Sequence, residues 1–547
     1  MADEYDFQIN DLKFRAAISD KYPYQRTTAP FRKEQFDSSP TVGDQSLTGW
    51  WTRGQLSFHK GEGKEYYEVL DGETVLNSYY RGVGVNPFTP GKVSLVLERT
   101  SLFTTAVTDC LALAFLSSPS RYVLNDDGVP KVSDFMGGAL STLTLSAGTA
   151  NALCGDGTSR AFAGTSASKV ERFTVATSGT PAGTVIYTTP TAVSGLWWAK
   201  ERLWIATIDG EVFAETADPS APPVALTTPL ATLPDHSSGG FADPCLAAAG
   251  QAVYVGWGGR EIYRFGLADD GSVPTLAAPV VAAELPNDEE VQGLRYYLGM
   301  LVIATNKGVR VAMVQDNGDL VYGPLFISET STSGVMGATG SQVWVPKGLD
   351  VYVIDLSSPS EDNPLAFPYA KHSTGSDSSY AAVGVVEGGV MAHFAGSDVS
   401  GLNGSSYNSA ADGYVETGFH RFGTLDTKSF RSITVRATVN YGSIEVYSQN
   451  ESRSSTLLGT ITAPATEGTF PLDITGERVA FMIRLLRDPA SPIYTPVLLG
   501  YQLKAMPVPE RQRILRAPLQ LVDLTTLRNG AEVGREGKGY EDLVALE

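Results

Sequence analysis

The sequence predicts an all-β protein: a β-propeller whose repeat markers suggest seven blades, then a β-sandwich, with an extended N-terminal arm and a C-terminal tail. Three observations carry this. Helical periodicity is scarce ahead of the tail, whereas short runs rich in Val, Ile, Thr, Tyr and Phe recur between Gly, Pro, Asp and Ser. A three-strand unit returns at a period in the forties, the spacing of a propeller blade. Near residue 401 a Gly/Ser/Asn-rich stretch gives way to regular apolar/polar alternation, which fits an antiparallel sandwich. A string of β-sandwiches would also place strands at short intervals, but the returning unit favours the ring.

Residues 1–90 stand outside the repeat. Three prolines, Pro23, Pro30 and Pro40, precede an aromatic cluster of Trp50, Trp51, Phe58, Tyr66 and Tyr67 broken by glycines, which reads as an extended docking arm. Residues 91–400 hold the repeat. The clearest copies are 195–215, 244–265 and 291–314, with weaker ones at 335–356 and 380–397. Their central-strand markers, Trp204, Tyr254, Val302, Trp344 and Met391, lie 50, 48, 42 and 47 residues apart. Phe162 and Ala114, 42 and 48 residues further upstream, extend the series to seven. One four-stranded sheet cannot bury both faces, but a ring of them can. Small residues such as Ala247, Ala248, Ala249, Ala381 and Ala382 suit its crowded axis. The strand that closes the ring is expected at Lys92–Glu98.

Residues 401–413 read as a linker and 414–506 as the sandwich, with strands expected at 432–439, 443–447, 456–461 and 479–486. The tail, 507–547, is Arg-rich and holds one strand-like run, 518–524, able to add to a partner's sheet.

Charge sharpens this division. The 547-residue chain has a formal net charge of −19. Residues 101–400 hold 14 basic and 30 acidic side chains, so −16 of it sits in the repeat. The first 40 and the last 38 residues each carry 6 basic and 7 acidic groups, a mixture suited to docking. The acidic balance argues against nucleic acid as a partner. No run of about 18 apolar residues exists to span a membrane, and the acidic start lacks a signal-peptide core.

The search for chemistry is negative. Zinc-protease, P-loop, dinucleotide-binding and nucleophile-elbow motifs are missing. Cys110, Cys154 and Cys245 lie far apart, as do His59, His236, His372, His393 and His420. The acidic turns 125–128, 269–271 and 316–319 lack the full calcium-loop pattern and read as hairpin turns. Trp197, Trp198, Trp257 and Trp344 could form a sugar platform but fit better as packing between blades. No catalytic, cofactor or metal residue is assigned. Paired carboxylates of a glycosidase would come from distant blades and leave no local motif.

The most distinctive stretch is 49–67, GWWTRGQLSFHKGEGKEYY. With the repeat, the Lys428–Ser432 segment KSFRS and the segment ERQRI at 510–514, it resembles the minor tail proteins of long-tailed phages infecting actinobacteria. The resemblance implies a non-enzymatic virion protein at the tail tip, assembled in the bacterial cytoplasm. Its partners would be other tail-tip or baseplate proteins and a host-surface glycan, and its role tip assembly, host attachment or both. The docking residues implied are Trp50, Trp51, Arg53, Phe58, His59, Tyr66 and Tyr67 in the arm and Arg511, Arg513 and Arg516 in the tail. The alternative is a propeller that binds or hydrolyses cell-envelope polysaccharide.

Overall fold

A computed structural model of the chain describes residues 51–67, 77–98 and, with short gaps, 100–507. The longest gaps within the last span are 235–243 and 375–382, and six short strands are described outside these limits. Every regular element among the described residues is a strand.

Seven antiparallel sheets follow in sequence order through residues 110–401, each built outward from four strands. The fifth illustrates the rule: Val291–Tyr297, Met300–Thr305, Gly308–Val314 and Leu320–Tyr322 follow one another outward. Blade two gains a fifth strand, Val224–Ala225, which pairs in parallel with Thr184–Thr188. In the first five blades the second strand is the most buried. Arg202–Thr207 and Met300–Thr305 are buried at every position after the first, so they read as continuous apolar runs and not as alternation. Adjacent blades share cores, as where Tyr254 and Ile262 of blade four meet Leu294, Leu301 and Ile303 of blade five. The expected tryptophan packing is present: Trp257 and Trp344 are buried, Trp197 packs between blades three and four, and Trp198 stacks on Phe162 at 5.9 Å.

Two details of the repeat differ from expectation. Ala114 lies in the innermost strand of blade one, Cys110–Ser117, and pairs with Val123. The position equivalent to the other markers is in the next strand, Ser120–Asp126, where Tyr122 is buried. The closing strand is Thr100–Ser101, which pairs with Asp398–Gly401 as the fourth strand of blade seven. Lys92–Glu98, expected there, instead serves the other domain: Leu95 pairs with Val85 and Val93 with Leu498. The two segments are neighbours in the chain, and which of them reaches blade seven depends on where the chain leaves the sandwich.

The larger correction concerns residues 51–67 and 77–98. They are not an arm. Trp51–Gln55 pairs with Val497–Pro507 in a four-stranded sheet completed by Lys428–Thr438 and Glu467–Gly476. Arg81–Val83 pairs with Asp412–Glu416 at the edge of a five-stranded sheet with Ala480–Leu486, Ser443–Gln449 and Ser455–Thr462. The two sheets enclose one core, in which Trp51, Phe58, Tyr79 and Val93 lie among Phe430, Ile433, Phe481 and Leu503. The sandwich predicted at 414–506 is therefore built from both ends of the chain. The hydrophobic effect explains the recruitment: without the early segment, these apolar faces would stay in water.

The two mixed-charge flanks also meet. Gln25–Thr28 pairs antiparallel with Arg513–Arg516. The strand-like run 518–524, residues 402–407 of the expected linker and most of the first 50 residues lie outside the described residues. Of the rest of that linker, Ser409 bridges to Leu97, and residues 412 and 413 already belong to the sandwich strand Asp412–Glu416.

Candidate functional site

The stretch 49–67 does three things in the structure. Its first part is core: Trp51, Phe58 and Tyr67 are at most 1% exposed, so they have no surface to offer a partner. The Tyr67 hydroxyl lies 2.8 Å from the Ser78 carbonyl and 3.1 Å from Gln55 Oε1, and its one proton serves both acceptors. Tyr501 donates to the same Gln55 oxygen at 2.9 Å, and its hydroxyl also meets His420 Nε2 at 3.1 Å. Burial holds the His420 imidazole well below its usual pKa, with the nearby Arg53 charge acting in the same direction.

The second part, 59–64, is a joint between domains. Tyr369–Thr374, the outer strand of blade six, runs beside Arg81–Val83 of the sandwich. The loop bridges the two: Glu62 donates its backbone N–H to the Tyr369 carbonyl at 2.8 Å. Its Oε1 accepts from the Lys371 and Gly82 amides at 2.9 and 3.1 Å. One carboxyl oxygen thus holds a propeller strand and a sandwich strand together. Burial raises the Glu62 pKa to about 7 against the opposing pull of those hydrogen bonds and of Lys371. Gly61 has a φ of +79°, and a Cβ there would lie 2.5 Å from the Tyr369 carbonyl oxygen. Only glycine allows this approach. His59 is half-buried with its Nδ1 on Ser57 Oγ at 2.7 Å, a local contact within the same loop.

The third part opens a ladder of alternating cations and rings. Tyr66 pairs in parallel with Phe419, and their rings lie 5.7 Å apart. Arg421 lies over Tyr66 at 4.6 Å; Arg478 reaches Tyr66 at 5.5 Å and Phe419 at 4.9 Å. Arg453 follows, 4.1 Å from Phe419 and 3.8 Å from Tyr80, and Arg81 ends the run 5.6 Å over Tyr80. Arg81 is paired with Glu416 at 2.7 Å. Arg478 Nη1 donates to the Tyr66 hydroxyl at 3.0 Å. Arg453 Nη1 donates to the Thr417 carbonyl at 2.9 Å and to Gln449 Oε1 at 3.3 Å. Arg53 lies apart, over Tyr67 at 4.7 Å.

Of the expected docking residues, then, Tyr66 joins the ladder, Arg53 is half-buried over Tyr67, His59 is half-buried in the joint loop, and Trp51, Phe58 and Tyr67 are interior. Trp50 and Arg511 lie outside the described residues; Arg513 and Arg516 are described only as backbone of the terminal ribbon. Arg421, Arg453 and Arg478 carry no signal in the sequence. They come from three separate turns of the sandwich, and no local motif joins them. In the propeller, the turn at 125–128 is a hairpin with Asp127 and Gly128 at positive φ, and Asp126 pairs with Lys131.

These features define a class: a seven-bladed propeller fastened to a sandwich that both flanks of the chain help to build. Among solved structures it is similar to the designed protein Ika8 (14% identity, 64% of this chain and 99% of that one, TM-score 0.38). It is also similar to the WD40 β-propeller domain of Doa1 (11%, 56% and 96%, 0.39) and the β-propeller domain of Cps50 (Swd1) from Myceliophteria thermophila (11%, 56% and 99%, 0.39). No family model and no curated protein matches the chain.

Proposed function

We propose that the protein is a non-enzymatic structural component of a phage tail tip, acting in tip assembly, host attachment or both. One observation carries the reading. The segment that bears the resemblance, 49–67, supplies in a single stretch a core strand, the interdomain joint and the first ring of the arginine ladder. A segment with those duties serves rigid presentation of surfaces. The joint supports the same reading, because a propeller clamped to a sandwich by the Glu62 carboxylate and backbone N–H can transmit a fixed orientation from one neighbour to another. Candidate neighbours are other tail-tip proteins, with a host glycan as the external ligand.

The test is location. Antibody against this protein should decorate the distal end of the tail in electron micrographs of intact particles, and purified virions should contain the chain by mass spectrometry. Absence from particles would overturn the reading. The polysaccharide-hydrolase alternative predicts new reducing ends when the purified protein is incubated with host envelope glycans; the structural reading predicts none.

A further inference from the structure

We propose that the arginine ladder binds an extended acidic segment of a neighbouring protein, with carboxylates at alternate positions. This deepens the assembly role above and rests on it.

The argument is one of local charge and geometry. The chain carries −19 overall, yet Arg421, Arg478, Arg453 and Arg81 are gathered at one end of the sandwich. Of the two carboxylates that act on Arg453, Glu416 is already held by Arg81, and Glu65 acts on it through space without an ion pair. Arg453 and Arg478 make no ion pair among the described residues; their acceptors are a carbonyl, an amide oxygen and a phenol. Arg453 Nη2 and Arg478 Nε have no hydrogen-bond partner, so the protein leaves part of each donor set unfilled. Those two nitrogens are covered and do not themselves receive the ligand; each side chain is half-buried as a whole, and the anion is assigned to the rest of its guanidinium. A guanidinium stacked on a ring keeps its in-plane donors for a planar anion.

Spacing selects the ligand. Arg453 and Arg478 flank Phe419 at 4.1 and 4.9 Å, which places the two guanidinium carbons no more than about 9 Å apart. In an extended strand, side chains on one face recur about every 7 Å. Acidic residues at every second position fall within that upper bound and are the spacing assigned to successive rungs. A nucleic acid would offer phosphates too, but the −16 held by residues 101–400 repels a long polyanion, whereas a short peptide meets only the ladder.

The experiment titrates full-length protein into a fluorescein-labelled peptide of roughly ten residues with alternating Glu and Ser, at low salt, and reads anisotropy. Single-stranded oligothymidylate of equal charge is the comparison probe. Saturable peptide binding is expected, weakened about tenfold or more by Arg453→Gln with Arg478→Gln. Arg436→Gln, an exposed sandwich arginine elsewhere, should leave it unchanged. If the double variant fails to fold, Arg478→Lys keeps the charge, loses the fork, and should weaken binding by a smaller factor. No saturable peptide binding overturns the proposal, as does equal loss with Arg436→Gln, or oligothymidylate binding at least as tightly through the same arginines. Peptide binding is independent of particle location, so its failure and that of the tail-tip reading are distinguishable.

Discussion

The propeller and the sandwich are both antiparallel β-structures, but they are assembled from the chain in opposite ways. Each of the first six blades is essentially a local run of hairpins, with partners such as Val302 and Val311 a few residues apart. In the sandwich, Trp51 pairs with Ala505 and Tyr414 with Val83. Closing such long loops costs conformational entropy before any contact repays it. The ring should therefore tolerate damage to the flanks, whereas the sandwich depends on them. Five predictions test that contrast.

Trp51→Ala should have the largest effect, about 3–5 kcal/mol, because it empties the middle of the sandwich core. Calorimetry should show the sandwich transition lowered while the blade transition stays; equal loss in both would refute the separation.

The joint comes next. The Glu62 pKa of about 7 lies above its unfolded value near 4.5, so the folded state holds the extra proton between those values. Stability is favoured at low pH and is lost as pH rises from about 4.5 to 7, by at most about 3 kcal/mol. Glu62→Gln keeps the acceptor and should remove that dependence, as read by denaturant midpoints across pH.

Gly61→Val must relieve the clash with Tyr369 and leave its left-handed φ, a cost of about 1–3 kcal/mol. The two domains should then move apart, raising the radius of gyration in small-angle scattering; an unchanged radius would show that the joint does not depend on this loop.

His420 responds to pH in the opposite sense to Glu62. Its folded pKa is depressed, so the unfolded chain takes up a proton first and the sandwich loses stability as pH falls below about 6.5. His420→Gln should flatten that loss in the sandwich transition alone. The smallest effect belongs to Thr434→Ala, which removes a cross-strand hydroxyl contact with Thr469 at 3.0 Å and should cost about 0.2–1 kcal/mol.

What is legible in the sequence follows the same contrast. The blades are legible because each carries its own period, as the buried runs at Trp204, Tyr254 and Val302 show. Four sandwich strands from residue 428 onward are legible from their alternation, but Glu467–Gly476 and Val497–Pro507 are not among the strands expected. Residues 51–67 stand out by composition, but nothing in Trp51 or Tyr67 says which sheet they will join. The arginine ladder leaves no trace, since Arg421, Arg453 and Arg478 meet only when three turns converge.

The sequence by itself determined the β architecture, the period of the ring and the acidity of its repeat, because those depend on neighbours in the chain. Tertiary structure alone decided that the early aromatic segment is core and joint, that Thr100–Ser101 closes the ring, and that cations and rings stack at one end of the sandwich. Such long-range choices depend on which apolar faces and charges remain uncovered once the local elements have formed, and that is settled in space.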